Sequence, residues 1–322
     1  MTVLVLTRRL HDSVSDGVIT ELADRDVPVY RMDPGDFPES AGFTARIEPG
    51  LSHWETSWRG QRRGLRLEEV TAVYYRRPNG FRLHPGLSGQ DAQWARAEAR
   101  AGIGGVLTSL DCTWVNHPHD NARAGVAPLA LKTASACGLT VPRTLITNDP
   151  QEARDFITDL PGKRAAYKAL GHVGASTHAG QRYALWTSRI TSDDITDDLG
   201  RTAHLLQEWI DKSFEVRLTA VGPELFAGAI HAGSEASRID FRRDYDSLTY
   251  SEIDVPPNVR RGVRALMGAF GLRYVAMDFV VGPDGLWNAV DINPNGQFGF
   301  IPHLREPITR ALADLLEGAM NP

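Results

Sequence analysis

The chain has 322 residues, of which 42% are hydrophobic and 23% charged, which is enough material for a large core divided among two or three lobes. Its net charge of -5 predicts no general attraction to nucleic acid or to an anionic membrane surface, and no apolar run reaches the roughly 18 to 20 residues of a membrane-spanning helix. The only cysteines, Cys112 and Cys137, form no CxxC motif, which argues against a disulfide framework or a cysteine-based zinc site and favours the cytoplasm.

The N-terminal part begins with a β-α-β pattern and is rich in arginine. Residues 46–100 contain ten arginines, no lysine and six acidic residues, so this part is locally basic. The last predicted helix is either ended or kinked by its glycines. In chain order, the predicted elements are a strand at 3–7, a helix at 16–26, a strand at 27–30, a strand at 71–75 that leads into Arg76-Arg77-Pro78, and a helix at 92–110.

The remaining two thirds mix helices with antiparallel strands. We expect lobes at 1–120, 121–205 and 206–322, and a loop of small residues after Lys168 that closes over a ligand. The predicted elements are a helix at 121–137 closed by Gly138, a strand at 140–147, a helix at 150–160, strands at 164–169, 203–210, 215–221 and 225–231, a helix at 258–270, and a hairpin of strands 276–281 and 287–292 around Pro283-Asp284-Gly285.

Three oxygen-bearing side chains converge on that hairpin. Asp278 lies on one strand, and Asp291 and Asn293 lie two residues apart, on one face of the other. Carboxylate and amide oxygens without a nearby His or Cys suit Mg²⁺, whose remaining ligands are water and phosphate. The alternative is that the aspartates are solvated turn residues.

Carboxylates that lie close together need positively charged neighbours, and lysine is rare among the basic residues of this chain. Only Lys132, Lys163, Lys168 and Lys212 are lysines among the 35 basic residues, so a surviving lysine can mark a site that requires a compact ammonium. Arg217 alternates with Glu215 along a strand and could stabilise the charge of a transferring phosphoryl group, or could form a salt bridge with a sheet neighbour. The chain has no GxxxxGK[ST] motif and no kinase HRD or DFG set, so ATP chemistry requires another fold.

These residues resemble those of the ATP-grasp ligases over roughly residues 116–301. The resemblance implies an α/β (α+β) three-lobed ATP-grasp fold with an N-terminal β-α-β pre-ATP-grasp domain, and an enzyme that uses ATP and Mg²⁺ to activate a carboxylate. Position 291 is Asp here, where these ligases more often have Glu. The stretches that carry the resemblance are Asn116-His-Pro118, Lys132, Gly138-Leu-Thr-Val-Pro-Arg-Thr144, Lys168, Gln207 to Ile210, Glu215-Val-Arg217, Asp278 and Asp291-Ile-Asn-Pro-Asn-Gly-Gln297.

The resemblance also implies a role for each residue. Arg217 would be the catalytic residue that faces the reacting phosphoryl group. Lys132 and Lys168 would hold the ATP phosphates and base, the segment Gln207, Glu208, Trp209 and Ile210 would contain the adenine hinge, Glu215 would meet the ribose, and Asp278, Asp291 and Asn293 would hold Mg²⁺.

Within the family, the chain looks most like the maturases of graspetides, the microviridin-type ribosomal peptides. That likeness implies that an Asp or Glu side chain of a precursor peptide is phosphorylated and then captured by a Thr or Ser hydroxyl as an ester, or by a Lys amine as an amide. The precursor would carry a leader and an acidic, Thr-rich core, and homodimers occur among relatives. The alternative is an ATP-grasp ligase that adds an amino acid to a small molecule or to a protein tail.

The substrate peptide would be acidic, so basic side chains are expected to meet it. We expect Arg76, Arg77, Arg242 and Arg243 to contribute, while a surface decorated by an arginine-rich composition is the alternative. Reversal of Arg76 and Arg77 to glutamate is expected to weaken peptide binding and to leave ATP binding unchanged. His172 and His231 are candidates for the base that deprotonates the attacking hydroxyl.

Overall fold

The computed structural model describes residues 1–8, 12–61, 63–171, 176–178, 181–183 and 186–319. Within these ranges, no helix is both long enough and apolar enough to cross a membrane. The strands are β1 (Thr2–Thr7), β2 (Val29–Met32), β3 (Gly42–Arg46), β4 (Glu55–Arg59), β5 (Gly64–Leu65), β6 (Val70–Arg76), β7 (Thr113–Val115), β8 (Thr144–Thr147), β9 (Ala165–Lys168), β10 (Ser176–His178), β11 (Gln181–Tyr183), β12 (Ser188–Ile190), β13 (His204–Glu208), β14 (Phe214–Val221), β15 (Glu224–His231), β16 (Thr249–Glu252), β17 (Tyr274–Val281) and β18 (Trp287–Asn293). The helices are α1 (Ser13–Asp24), α2 (Gly89–Ala99), α3 (Gly105–Thr108), α4 (Pro118–Ala124), α5 (Ala127–Ala136), α6 (Pro150–Asp159), α7 (Glu235–Ile239), α8 (Pro257–Phe270) and α9 (Pro302–Gly318).

The N-terminal domain is built on a parallel sheet in the order β2-β1-β6-β7. The apolar run of β1 is buried, as expected for a central parallel strand covered on both faces. The predicted β-α-β opening is therefore confirmed, although β2 begins two residues later than predicted. A small antiparallel sheet of β3, β4 and β5 lies beside it, was not predicted, and buries Trp58.

The glycine-rich helix of this domain continues through its glycines. A π-helical segment at Arg100–Gly104 joins α2 to α3, so the chain stays helical from residue 89 to residue 108. Of the two predicted outcomes, termination or continuation, continuation is the correct one.

Residues 118–136 form two helices, so the prediction of a single helix at 121–137 was wrong. Helix α4 ends at Ala124, and α5 begins at Ala127 with Pro128 in its first turn. Proline has no backbone N–H and is tolerated in the first helical turn but not inside a helix, so the chain restarts there. Gly138 follows the end of α5 with φ +80°, which confirms its predicted role.

The central lobe carries an antiparallel sheet in the order β12-β9-β13-β8, backed by α6. Strand β8 is shorter than the predicted strand at 140–147, because Pro142 lies in the first half of that predicted range. The division into lobes near residues 120 and 205 stays a prediction. The boundary at 205 falls inside β13, and all of β13 pairs with central strands, which places the end of this sheet at Glu208.

The C-terminal lobe is an antiparallel sheet in the order β16-β15-β14-β17-β18, and it includes the predicted hairpin of β17 and β18. Alternate residues of β14 and β17, such as Val216 and Phe279, are buried in one cluster with the apolar face of α8. Because side chains alternate across a strand, Arg217 and Asp278 project from the opposite face. On this face, Tyr274 and Ala276 belong to one buried cluster with α9, and Glu215 and Asp278 line a cavity together with residues of the central sheet.

Candidate active site

A cavity of about 390 Å³ lies between the central and C-terminal sheets. It contains most of the predicted nucleotide-binding and metal-binding residues, which come from five different strands and the segment after β13. The residues that line it include Ala166, Lys168, Trp186, Thr187, Gln207, Glu208, Trp209, Ile210, Lys212, Glu215, Asp240, Phe241, Arg242, Asp278, Val290 and Asp291. The sheets therefore bring together residues more than 120 positions apart in the sequence.

Lys168 ends β9 and points into this cavity. Its Nζ donates to Gln207 Oε1 at 2.7 Å and to the Val290 carbonyl at 3.3 Å. Burial lowers the pKa of Lys168, while the nearby Asp291 carboxylate opposes this shift. Both hydrogen-bond acceptors are uncharged, so a phosphate placed beside Lys168 would supply a counter-charge.

The segment after Lys168 was expected to close over the ligand. Residues 172–175 lie outside the described residues, and so does His172, which was a predicted substrate residue. His231, the other predicted base, contacts Ser251 Oγ at 3.0 Å and does not line the cavity.

The predicted adenine hinge crosses from the central sheet to the C-terminal sheet. Glu208 N donates to the Arg143 carbonyl at 2.8 Å, and Trp209 N donates to the Arg164 carbonyl at 3.2 Å. These bonds hold the segment against the central lobe while Glu208 to Ile210 line the cavity. The position suits the binding of a planar base, and the role stays a prediction.

Glu215 lies further along the cavity and pairs with Lys212. Lys212 Nζ donates to Glu215 Oε1 at 2.6 Å. Burial raises the pKa of Glu215 and the charge of Lys212 opposes the increase. Sequence reasoning did not place Lys212 in the site, although its survival as one of four lysines was a usable signal.

A charged group on neighbouring strands adjoins the cavity through Asp278, whereas Arg217 is not among the residues that line it. Arg217 Nη1 donates to Asp278 Oδ1 at 2.7 Å, and both side chains are buried. Asp278 is the cross-strand partner of Arg217 on one side and of Asp291 on the other. Burial raises the pKa of Asp278, the Arg217 guanidinium opposes this shift, and the charge of Asp291 adds to it. The salt bridge considered for Arg217 is thus present, and its partner is the predicted metal ligand.

Asn293 follows Asp291 by two residues and lines a smaller adjoining cavity of about 200 Å³, which it shares with Lys168 and Asp291. The Asn295 backbone N–H donates to Asn293 Oδ1 at 3.0 Å, which fixes the orientation of the amide. Two facing carboxylates and an amide oxygen form a hard-oxygen donor set that fits Mg²⁺. Among the described residues, no cluster of three or more His, Cys, Asp or Glu side chains is arranged to hold a metal ion, and the assignment of Asp278, Asp291 and Asn293 stays a prediction.

Lys132 does not line either cavity. It lies on the exposed side of α5, whereas Ala130 and Leu131 of the same helix line the smaller cavity. Its predicted contact with ATP stays a prediction.

Arg242 lines the main cavity, and its charge is matched by Asp240. Arg242 Nε and Nη2 donate to the Asp240 carboxylate at 2.8 and 3.0 Å. Burial would raise the pKa of Asp240, but these hydrogen bonds hold it below its ordinary value. The backbone N–H of Thr187 also donates to Asp240, and Arg243 Nη2 donates to the Thr187 carbonyl at 2.9 Å. Asp240 and Arg243 therefore join the C-terminal lobe to the central lobe, and no local sequence pattern marks Asp240.

The structure places Arg76 where a peptide cannot reach it. Its side chain is only 1% exposed, and Nη1 donates to the Asn295 carbonyl at 2.6 Å and to Asn295 Oδ1 at 2.7 Å. Arg77 Nη2 donates to the same carbonyl at 3.1 Å. The expectation that reversal of Arg76 would selectively weaken peptide binding is therefore corrected, because reversal would disrupt a buried contact between domains. Arg77 is less buried and stays a candidate.

Known proteins resemble this chain in its N-terminal domain and in its whole fold. Residues 2–122 match the family model of the MvdD pre-ATP grasp domain. A RiPP-associated ATP-grasp ligase of Chryseobacterium gregarium, solved with ADP and a leader and core peptide, is 25% identical, with a TM-score of 0.90 and coverage of 98% of this chain and 96% of that chain. The macrocyclase MdnC of Microcystis aeruginosa MRC, solved with the precursor peptide MdnA, is 27% identical, with a TM-score of 0.85 and coverage of 99% and 100%. None of the curated proteins matches the chain.

Proposed function

Because this chain has the ATP-grasp fold over nearly its whole length and an MvdD-type pre-ATP-grasp domain at its N-terminus, we propose that it is an ATP-dependent macrocyclase of a ribosomally made precursor peptide. It activates Asp or Glu side chains as acyl phosphates and joins them to Thr or Ser hydroxyls or to Lys amines. Its partner is a precursor with a leader and an acidic core, and its free cysteines, Cys112 and Cys137, suit a cytoplasmic enzyme.

The main cavity holds the nucleotide. Glu208 to Ile210 receive the adenine at the hinge, and Glu215, oriented by Lys212, accepts hydrogen bonds from the ribose hydroxyls. Lys168 also lines the cavity, and its ammonium meets the phosphates. The terminal phosphate then lies near Asp278, whose partner is Arg217.

Asp278, Asp291 and Asn293 would hold Mg²⁺, which supplies positive charge to the phosphates when it is bound. The fit rests on the buried Asp278, which lies directly opposite Asp291 in the hairpin, so that two carboxylates face one another beside the cavity. Asn293 contributes a neutral oxygen and so avoids a third repelling charge. Asp291, the more exposed carboxylate, completes the set from the cross-strand position.

Arg217 assists both halves of the reaction. An oxygen of the substrate carboxylate attacks the terminal phosphorus, the bond to the bridging oxygen breaks, and ADP leaves with that electron pair. A hydroxyl or amine then attacks the acyl carbon, loses its proton, and releases inorganic phosphate. Held by Asp278 at 2.7 Å, the Arg217 guanidinium is positioned to stabilise negative charge on the transferring group.

One observation carries the proposal: the buried Arg217–Asp278 pair lies opposite Asp291, and both Asp278 and Asp291 line a cavity that also contains Lys168. This arrangement combines an anion-binding cation, a hard-oxygen metal set and a phosphoryl-stabilising guanidinium. It suits transfer of a phosphoryl group to a carboxylate.

The proposal is tested by intact-mass analysis of a candidate precursor peptide incubated with the protein, ATP and Mg²⁺. We expect ADP production together with successive losses of one water mass from the peptide, one for each ring. Omission of ATP and a Lys168→Met variant serve as controls. A mass gain equal to an added amino acid, or ATP turnover with small carboxylates and amines while the peptide stays unchanged, would instead support the amino-acid-adding ligase.

A further inference from the structure

Aromatic rings gather beside Arg217 on the C-terminal lobe. The rings of Tyr245, Tyr250 and Phe300 form a surface that we name the aromatic shelf. The centroids of Tyr245 and Tyr250 lie 6.1 and 6.4 Å from that of Phe300, in edge-to-face arrangements. The buried ring of Phe241 stacks on Phe300 at 5.7 Å and supports it from below. Such pairs hold one another in a defined geometry.

Two arginines connect the shelf with the nucleotide cavity. The Arg217 guanidinium carbon lies 5.3 Å from the centroid of Phe300, and the Arg242 guanidinium carbon lies 5.5 Å from that of Phe241. Phe241, Arg242 and Asp278 line the cavity, whereas the three shelf rings are not among its lining residues. Arg217 therefore contacts both Asp278, which lines the cavity, and Phe300 of the shelf. A carboxylate that approaches the terminal phosphate from outside the cavity would meet this guanidinium beside the shelf.

The shelf is open to solvent and flanked by positive charge. Tyr245 is 48% exposed, and Tyr250 and Phe300 are partly exposed. Burial raises the pKa of Tyr245, so its hydroxyl stays neutral at physiological pH. The shelf therefore presents neutral apolar faces next to guanidinium groups that attract a carboxylate.

We propose that the aromatic shelf binds the side chain next to the reacting Asp or Glu of the peptide substrate, and that it favours an aromatic or aliphatic residue at that position. The inference rests on the proposed function. Consecutive Cα atoms of a peptide are about 3.8 Å apart, so a residue whose carboxylate meets Arg217 places its neighbour within reach of a ring 5.3 Å from that guanidinium. The arginines recognise the acid, and the shelf selects the residue beside it.

The test is a double-mutant cycle between Tyr245 and the peptide. The peptide that loses water with the wild-type protein is made in two forms, with Phe or with Ser beside the reacting acid. With the wild type, we expect the Phe form to have a KM about tenfold lower than the Ser form, in line with burial of an aromatic pair. In Tyr245→Ala this ratio should fall to about one, whereas Tyr245→Phe, which keeps the ring, should preserve it.

Two controls separate recognition from misfolding. ADP affinity should be unchanged in both Tyr245 variants, and Trp94→Ala, which removes a ring that is 67% exposed on α2, should leave the Phe-to-Ser ratio unchanged. If the wild type forms rings but Tyr245→Ala keeps the tenfold ratio, the shelf proposal fails alone. If the wild type removes water from neither peptide, the proposed function fails and the shelf proposal fails with it.

Discussion

Arg76 joins the N-terminal domain to the turn that follows the proposed metal ligands. Its Nη1 donates to the Asn295 carbonyl and side chain and to the Gly296 carbonyl at 3.2 Å, while Nε lies 3.7 Å from Asp12 Oδ2. Asp12 is itself buried and accepts a hydrogen bond from Ser15 Oγ at 2.6 Å. One guanidinium therefore compensates a buried carboxylate in one domain and buried carbonyl groups in another.

Replacement of Arg76 by methionine should strongly destabilise the protein. The substitution conserves much of the volume but leaves the buried Asp12 carboxylate without the Arg76 guanidinium and removes the donor to Asn295 Oδ1. Loss of one partner of a buried ion pair costs about 3 to 5 kcal/mol. Since unfolding free energies of natural domains are about 5 to 15 kcal/mol, this loss is a large fraction of the total.

The change is measured by urea unfolding, with Arg25→Met as a matched control. Arg25 also joins the N-terminal domain to the C-terminal part, through Asp314 and Glu317 of α9, but these partners are largely exposed. Exposed pairs contribute about 0.2 to 1 kcal/mol each, so Arg25→Met should cost roughly 1 kcal/mol. A loss in Arg76→Met of less than about 1 kcal/mol, or no greater than that of Arg25→Met, would refute the reasoning.

Three further changes address the site itself. Lys168→Met should weaken ADP binding by about 1.5 to 3 kcal/mol, measured by calorimetry. Burial lowers the pKa of Lys168 in the folded state below its value in the unfolded state. The free energy of unfolding of the wild type should therefore increase relative to that of this variant as pH rises towards 10.5. If urea unfolding gives the same pH dependence of the unfolding free energy for both proteins, this reasoning is contradicted. Arg217→Lys keeps the positive charge but loses the planar guanidinium, so turnover should fall about 10²- to 10³-fold while ADP affinity changes little. A tenfold loss of ADP affinity would instead indicate that Arg217 binds the nucleotide. Asp291→Asn should weaken Mn²⁺ binding to the ADP complex, followed by electron paramagnetic resonance, whereas Asp291→Glu should retain it, and equal affinities would remove Asp291 from the metal set.

Features with local signals were predicted correctly. The Pro283-Asp284-Gly285 turn and the alternation on each side of it predict the β17–β18 hairpin, and Asp278 and Asp291 are opposite each other in that hairpin. The register shifts between Asp278 and Phe279, but the shift follows the pair and does not separate it. Alternation along β14 likewise predicts that Glu215 and Arg217 share a face.

Features that depend on distant contacts could not be predicted in this way. Arg76 and Asn295 are 219 positions apart, so neither periodicity nor turn chemistry links them. Arg76 was predicted to contact the peptide because it lies in a basic segment, and composition does not report burial. Asp240 was missed for a similar reason, since its role depends on Thr187, which reaches it from another lobe.

The electrostatics of the site favour joint binding of the nucleotide and the metal. Burial raises the pKa of Asp278 and lowers that of Lys168, so the protein alone disfavours the charged form of both groups. A divalent cation would compensate Asp278 and its neighbour Asp291, and phosphates would compensate Lys168, while the two ligands also contact each other. Because the metal and the phosphates attract each other, we expect the binding of one ligand to increase the affinity for the other. By thermodynamic linkage this effect is reciprocal.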